Sequence, residues 1–423
     1  MHQRPSAVAI RSGGRRLNNA RLLLGPAFVA ALAYVDPGNV AANLTAGARY
    51  GYLLIWVLVV ASAMAMLIQY QSAKLGLVTG RTLPGVVADG LERRGGTGLR
   101  VAYGLQAQFV AVATEIAEVV GGAIALWLLF GVPLWLGGVI VGFVSLCLLS
   151  VLSRRGERIF ESVILGVLAV VALGFLAGLF WSRPSVPGLM AGMVPRLAGT
   201  DTVLLAAAML GATVMPHAIY VHSALARDRH FTRRQRPAAV RRLLKITRID
   251  VGLALLVAGS VNVGMLVLAA ATLNSGQATD SIEAAHASLG QVLGALPATL
   301  FAIGLLAAGI GSTAVGAHAG ATIIGDALRL PIPMLGRRLL SVVPAVALLL
   351  SPIPPTQILV ISQVVLSFGI PFALVPLIMA TGNQRLLGEH VDSLPLRIAS
   401  WVGATAIVVL NAALLYLTLT GQG

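Results

Sequence analysis

Asp36, Asn39 and Met215 are polar or soft donors placed where membrane-spanning helices should run. Asp36 and Asn39 belong to Ala33-Tyr34-Val35-Asp36-Pro37-Gly38-Asn39, inside an apolar run from Leu22 to Leu44. A carboxylate at the centre of a membrane helix costs about 2.5–3.5 kcal/mol on insertion scales, so function is the default explanation for it. Pro37 and Gly38 break the helix and free backbone carbonyls, which is tolerated at that depth only inside protein or along a cavity. A second stretch, Ala212-Thr213-Val214-Met215-Pro216-His217, interrupts the run from Thr202 to Ala226. The two align without a gap: Ala33 with Ala212, Val35 with Val214, Asp36 with Met215, Pro37 with Pro216. Ordinary kinks would explain the prolines, but not the matched neighbours and the ionisable residue. Paired, interrupted hydrophobic segments in corresponding positions of two halves point to the binding site of a secondary transporter.

The donors define what such a site would hold. Asp36 offers a hard anionic oxygen and Asn39 an amide oxygen three residues on. Ala33 and Ala212 stand just before the breaks, where carbonyls lose their helical partners. Oxygens alone would suit magnesium, calcium or manganese. The thioether of Met215 adds little for hard ions; it favours iron, cobalt, nickel or cadmium and tolerates manganese. Met215 as a gap-filler is the plainer reading, against which stands its place beside Pro216 and opposite Asp36. The single cysteine, Cys147, lies in an apolar run, and no Cys/His cluster suited to structural zinc is present.

Acids in the apolar runs are few. Glu115 and Glu118 are three apart and share a helix face, with Gln108 seven residues before Glu115 on the same side. His217 and His222 follow the second break. Carboxylates and imidazoles of this kind carry protons when buried. They also lock helices together by pairing with arginines such as Arg338, and one network can do both.

The elements that must position these groups are membrane helices. The chain has 423 residues, is 57% hydrophobic and only 11% charged, and has a mean hydropathy of +0.88. That composition defines a multi-pass integral membrane protein. The net charge of +15 does not signal nucleic-acid binding, because the basic residues fall in short loops. Eleven spans are expected, at 22–46, 52–78, 99–130, 132–153, 159–181, 201–226, 248–271, 292–326, 335–351, 355–381 and 397–420. With the N-terminus inside, only Arg49, Arg183 and Arg196 fall outside, a strong positive-inside bias. Residues 1–21 form a basic cytoplasmic segment without the pattern of a cleavable signal peptide. The basic loop 227–248 reads as a solvated, topology-fixing loop or as a contact for anionic lipid heads. Gly304, Ala308, Ser312, Gly316 and Gly320 form a small-residue ridge for close helix packing. Two five-helix units, 22–181 and 201–381, each open on a broken helix, with 397–420 appended. Five is odd, so the second unit is inverted in the membrane. The expected fold is all-α, a LeuT-type inverted 5+5 repeat plus one helix.

At Asp36-Pro37-Gly38-Asn39 and Met215-Pro216-His217 the sequence resembles the Nramp family, in particular its bacterial manganese-transporter branch. The resemblance runs from about Leu24 to the C-terminus, including Ala113-Thr114-Glu115-Ile116-Ala117-Glu118 and the stretch from Ser362 to Phe372. It implies proton-coupled import of divalent transition metals across the cell membrane, chiefly manganese and iron(II), with cadmium, cobalt and zinc as further candidates. The metal is cargo and the proton the coupling ion, with no cofactor, no enzymatic activity and no obligatory protein partner. The implied metal set is Asp36, Asn39, Met215 and the carbonyls of Ala33 and Ala212, with Gln363 joining on closure and Thr114 and Asn262 nearby. The implied proton route uses Asp36, His217, Glu115 and Glu118, with Arg338 paired to it. Two departures, Glu115 where the family usually has Asp and Gln108 where some relatives have an acid, touch the proton route and leave the metal site alone. The alternatives are a sodium-coupled amino-acid symporter of the same fold and a metal channel or uniporter without strict coupling. An intramembrane metalloprotease would want a His-Glu-x-x-His cluster, which the chain lacks.

Overall fold

A computed structural model describes residues 25–232, 236–274 and 281–419, and among these the chain is helical with no strand. The absence of strands follows from the solvent, since in lipid each backbone N–H and C=O must be satisfied within its own segment. The basic segment 1–21 and the arginines at 233 and 234 lie outside the described residues.

The first expected span is two helices, α1 (Pro26–Ala33) and α2 (Pro37–Tyr50). Tyr34, Val35 and Asp36 separate them. Pro37 has no N–H, so the carbonyl of Ala33 has no donor four residues on. α3 (Ile55–Thr79) ends at Gly80, whose φ of 66° requires a residue tolerant of the left-handed region. α4 (Leu83–Phe130) is interrupted at Gly96, where φ is 74° and ψ −173°, so the expected span 99–130 is its second part. α5 (Leu134–Arg155) and α6 (Glu157–Leu176) follow, then the short α7 (Leu179–Ser182) and α8 (Val186–Gly192).

The second half opens the same way. α9 (Thr200–Thr213) and α10 (Pro216–His230) are separated by Val214 and Met215, and Pro216 leaves the Ala212 carbonyl without its helical donor. α11 (Pro237–Thr272) begins well before the expected 248, so the second part of the basic loop is helix, because Pro237 is a favourable first helical residue. α12 (Ile282–Leu293) is a separate helix, cut from α13 (Ala295–Thr322) at Gly294, where φ is 96°. One π-helical turn, Ile323–Leu328, ends that run. α14 (Met334–Leu350), α15 (Pro355–Thr381), α16 (Gln384–Leu387) and α17 (Leu394–Leu419) complete the chain. Among the described residues, eight helical segments are long and apolar enough to cross a membrane, the α9–α10 run being one of them. The apolar part of α5 is shorter, as are α14 and the divided α1–α2 pair.

The main core gathers around the first break: Leu32, Val35, Phe160, Phe175, Met215, Val261 and Phe301 are all buried in one cluster. Large apolar side chains such as Phe109, Phe143, Leu173, Phe180 and Leu256 lie on the outside, as expected of a surface meeting acyl chains. The small-residue ridge of α13 packs closely, but not uniformly. A Cβ at Gly174 would meet the Gly304 backbone at 2.6 Å, so these two helices touch main chain to main chain. Farther along, Gly316 and Gly320 make room for side chains of α4.

Candidate metal and proton site

The site is built from the two helix starts. Asp36 caps α2, its Oδ1 accepting from the Asn39 backbone N–H at 2.9 Å, the ordinary role of an aspartate before a helix. The Asn39 side chain then turns across the gap. Its Nδ2 donates to Asp36 Oδ1 at 2.8 Å and to the Ala212 carbonyl at 3.0 Å. One amide therefore joins the first break to the carbonyl that Pro216 left free in the second. Met215, at the N-cap of α10, is fully buried in the same cluster as Ala33 and Val35.

What remains unpaired faces the junction. Asp36 Oδ2 and Asn39 Oδ1 are buried without a hydrogen-bond partner. A buried, unpaired carboxylate oxygen is costly, and a cation is the partner that would relieve it. Among the described residues no group of three or more His, Cys, Asp or Glu is placed to hold a metal. A carboxylate, an amide, carbonyls and a thioether are nonetheless groups that ligate divalent metals.

Gln363 on α15 lies directly over Gly38. A Cβ there would sit 1.8 Å from Gln363 Nε2 and 3.1 Å from Asp36 Oδ2, so the glycine is the seat of the glutamine. Both amide atoms of Gln363 are buried and unpartnered. Asn262 on α11 bonds elsewhere. Its Nδ2 donates to the Tyr34 carbonyl at 2.9 Å, and its Oδ1 accepts from Asn43 Nδ2 at 3.0 Å. It ties down the unwound backbone rather than facing Asp36. Thr114 spends its hydroxyl on the Val110 carbonyl one turn back, at 3.0 Å.

The two acids of α4 differ in their partners. Glu115 is locked, its Oε2 accepting from Arg338 Nη1 at 2.6 Å and from Ser341 Oγ at 2.5 Å. Glu118 faces the second break instead, with Oε1 3.9 Å from His217 Nε2. That is too long for a hydrogen bond and short enough for one bridging water. Both acids lie against the glycine notches of α13: a Cβ at Gly316 would meet Glu118 Oε2 at 2.7 Å and Glu115 Cγ at 3.0 Å. Gln108 shares the Gly320 notch with Glu115. His222 belongs to another chain of contacts, its Nδ1 2.7 Å from Gln69 Oε1, while Gln69 Nε2 donates to the Tyr34 hydroxyl at 2.7 Å.

The two ends of the bundle differ among the described residues. A cavity of about 220 Å³ runs from Ser281 and Thr356 past Ala42 and Leu205 to Gly38 and Gln363, on the end where α2 finishes. The opposite end is tied by polar contacts. Thr82 Oγ1 donates to Asp326 at 2.6 Å and Arg227 to the same oxygen at 3.0 Å. Arg329 joins Asp89 at 2.5 Å and Glu92 at 2.9 Å, and Arg100 donates to the Ala327 carbonyl at 2.7 Å. At the same end Asp250 of α11 accepts from Gly25 N–H and Ala27 N–H, both at 3.1 Å, and so fastens the start of α1.

Known proteins resemble this chain in sequence and in fold. The family model described as natural resistance-associated macrophage protein-like, Nramp, matches residues 27–417. The chain belongs to the Nramp family. A curated relative, the divalent metal cation transporter MntH of Mycobacterium tuberculosis (strain ATCC 25618 / H37Rv), is 53% identical over 405 residues, covering 96% of this chain and 94% of its own. The solved Eremococcus coleocola manganese transporter superposes with a TM-score of 0.84 at 27% identity, over 93% of this chain and 86% of that one. MhsT in complex with L-phenylalanine, 13% identical, shares the fold with a TM-score of 0.58 over 91% of this chain and 97% of its own. The fold is thus the LeuT type, and the Nramp chain is a multi-pass protein of the cell membrane.

Several contributors to this Nramp site were invisible in the sequence. Asn43, Gln69, Asp250 and Ser341 belong to no motif, and each takes its partner from a distant segment of the chain.

Proposed function

We propose that this Nramp chain is a carrier, not an enzyme, that imports divalent transition metals, manganese and iron(II) first, by proton-coupled alternating access. The ion sheds most of its water and binds between the breaks, on Asp36, Asn39, Met215 and the carbonyls of Ala33 and Ala212. The observation that carries the reading is the Asn39 amide spanning Asp36 and the Ala212 carbonyl, with Asp36 Oδ2 and Asn39 Oδ1 left for a cation. The relatives' names, a divalent metal cation transporter and a manganese transporter, support the cargo.

The N-terminus is placed inside, which makes the 220 Å³ cavity the outer vestibule and the tied end the cytoplasmic gate. The units 22–181 and 201–381 are the two halves that rock against each other. An inward-negative potential favours the ion by about 2.3 kcal/mol per charge per 100 mV. Gln363, poised over Gly38, is placed to turn its amide oxygen onto the ion as the vestibule closes. Protons travel beside the metal from Asp36 through His217 and Glu118 to Glu115, the Arg338 pair holding the last carboxylate in place.

Asp36→Ala tests the centre. Manganese uptake into vesicles, followed by quenching of an internal dye, is expected to vanish, and uptake at the wild-type rate rejects the site. The same assay separates this reading from an amino-acid symporter, which would leave the dye unquenched. Uptake indifferent to an imposed pH gradient would make the protein a uniporter or channel instead.

A further inference from the structure

A cavity of about 360 Å³ lies under α14, beyond the Glu115–Arg338 pair. Its polar walls are Arg337, Arg338 and His318. Arg338 is 3% exposed; its Nη1 goes to Glu115, while its Nη2 is buried and unpartnered. Arg337 donates from Nε to the Ile332 carbonyl at 2.6 Å. His318 Nε2 is buried without a partner.

A proton that reaches Glu115 has to leave it. Arg338 closes the way and cannot serve as carrier, because a guanidinium is never deprotonated in a protein. Arg337 is barred for the same reason. Among the residues lining the cavity, His318 alone has a side-chain nitrogen that can both accept and give up a proton. We propose that His318 is the exit carrier of the proton route, receiving through the water of this cavity what the Glu115–Glu118 network gives up. The inference rests on the coupling reading above and adds to it a residue and an exit.

The ring does not reach the acids directly. Gly316 and Gly320, which seat the acids, are each two residues from His318, so the imidazole lies on nearly the opposite face of α13 at 100° per residue. The transfer therefore runs through cavity water, for which His318, Arg337 and Arg338 offer polar partners in an otherwise apolar space large enough to be hydrated. In the step, a carboxylic O–H breaks and water relays the proton to the neutral Nε2. The N–H so formed then breaks as bulk water takes the proton away. Charges around the ring come from three elements: Arg337 and Arg338 of α14, Glu115 of α4 behind Arg338, and Asp228 and Arg227 at the end of α10, which act on it with opposite signs.

The test uses the full chain in liposomes, with manganese outside and two internal dyes, one for metal and one for pH. Wild type is expected to release protons inside at a rate that falls as internal pH is lowered. His318→Gln is expected to flatten that profile and lower metal-driven proton flux by about tenfold, with the manganese binding isotherm unchanged. Ala321→Phe, which fills the cavity and leaves His318 in place, is expected to lower proton flux in the same way and decides the matter should His318→Gln fail to fold. Wild-type flux and pH profile in both variants overturn the assignment and leave coupling intact. A wild type that moves manganese without protons overturns the coupling reading and this inference with it.

Discussion

Met215 and the two acids of α4 show how much can rest on a single side chain. Met215 places sulfur where its counterpart in the other break, Asp36, places oxygen, and sulfur is what hard ions gain least from. Met215→Ala is expected to let calcium or magnesium compete with manganese more effectively in the uptake assay; unchanged selectivity would reduce the residue to packing. Glu115 and Glu118 are both buried, yet only Glu115 is paired with an arginine. Removing one member of a buried ion pair strands the other charge, at about 3–5 kcal/mol. Glu115→Gln is therefore expected to lower the detergent melting temperature well below that of Glu118→Gln, whose carboxylate stands 3.9 Å from His217 Nε2. Equal melting temperatures would mean that the Arg338 pair stabilises nothing.

At the scale of the helix, the breaks work because neighbours hold the loose ends. The Pro37 ring sits in a notch of α4: a Cβ at Gly121 would lie 2.1 Å from its Cβ and 2.2 Å from its Cγ. A proline ring cannot swing aside as a long side chain can. Gly121→Ala is expected to push α2 away from α4 and weaken manganese binding measured by calorimetry, while an unchanged isotherm would show that the break tolerates the shift. The start of α1 depends on Asp250 in the same manner. Its two oxygens replace the helical partners that the first N–H groups lack, and such caps are worth about 1–2 kcal/mol. Asp250→Ala is expected to speed hydrogen exchange across residues 25–29 while leaving α3 unchanged; equal protection would mean that the carboxylate fastens nothing.

Among the described residues a cavity reaches Gly38 and Gln363 at one end of the bundle, and polar contacts cross the other. A carrier that exposed Asp36 to both sides at once would leak its cargo, and in the proposed reading the Thr82–Asp326–Arg227 contacts and the Arg329 bridges complement that cavity. Lys74 and Gln71 of α3 meet Asp392, and Gln71 also reaches Ser400 at 2.8 Å, which fixes the start of α17 to the bundle. In a Cys147→Ser background, a cysteine at Ala42 is expected to react with a membrane-impermeant maleimide from outside intact cells and to be protected by manganese. Reaction only from the cytoplasmic side would reverse the orientation. The path to the site is legible here and nowhere in the sequence, because Ser281, Thr356 and Gly38 come from three distant segments.

The amino-acid sequence by itself determined the membrane class, the all-helical fold and the two interrupted helices at Asp36 and Met215. Those are consequences of local chemistry: apolar length, a missing proline N–H, and a charge too costly to bury without purpose. Only the tertiary structure decided how the donors divide their bonds. It gave Asn39 to both breaks, moved Asn262 to the Tyr34 carbonyl, kept Glu115 for Arg338 and turned Glu118 toward His217. It also made Gly316 and Gly320 seats for carboxylates, which a ridge of small residues does not announce. Partner choice between helices depends on which faces meet, and that is settled by packing across the whole bundle rather than by any one stretch of chain.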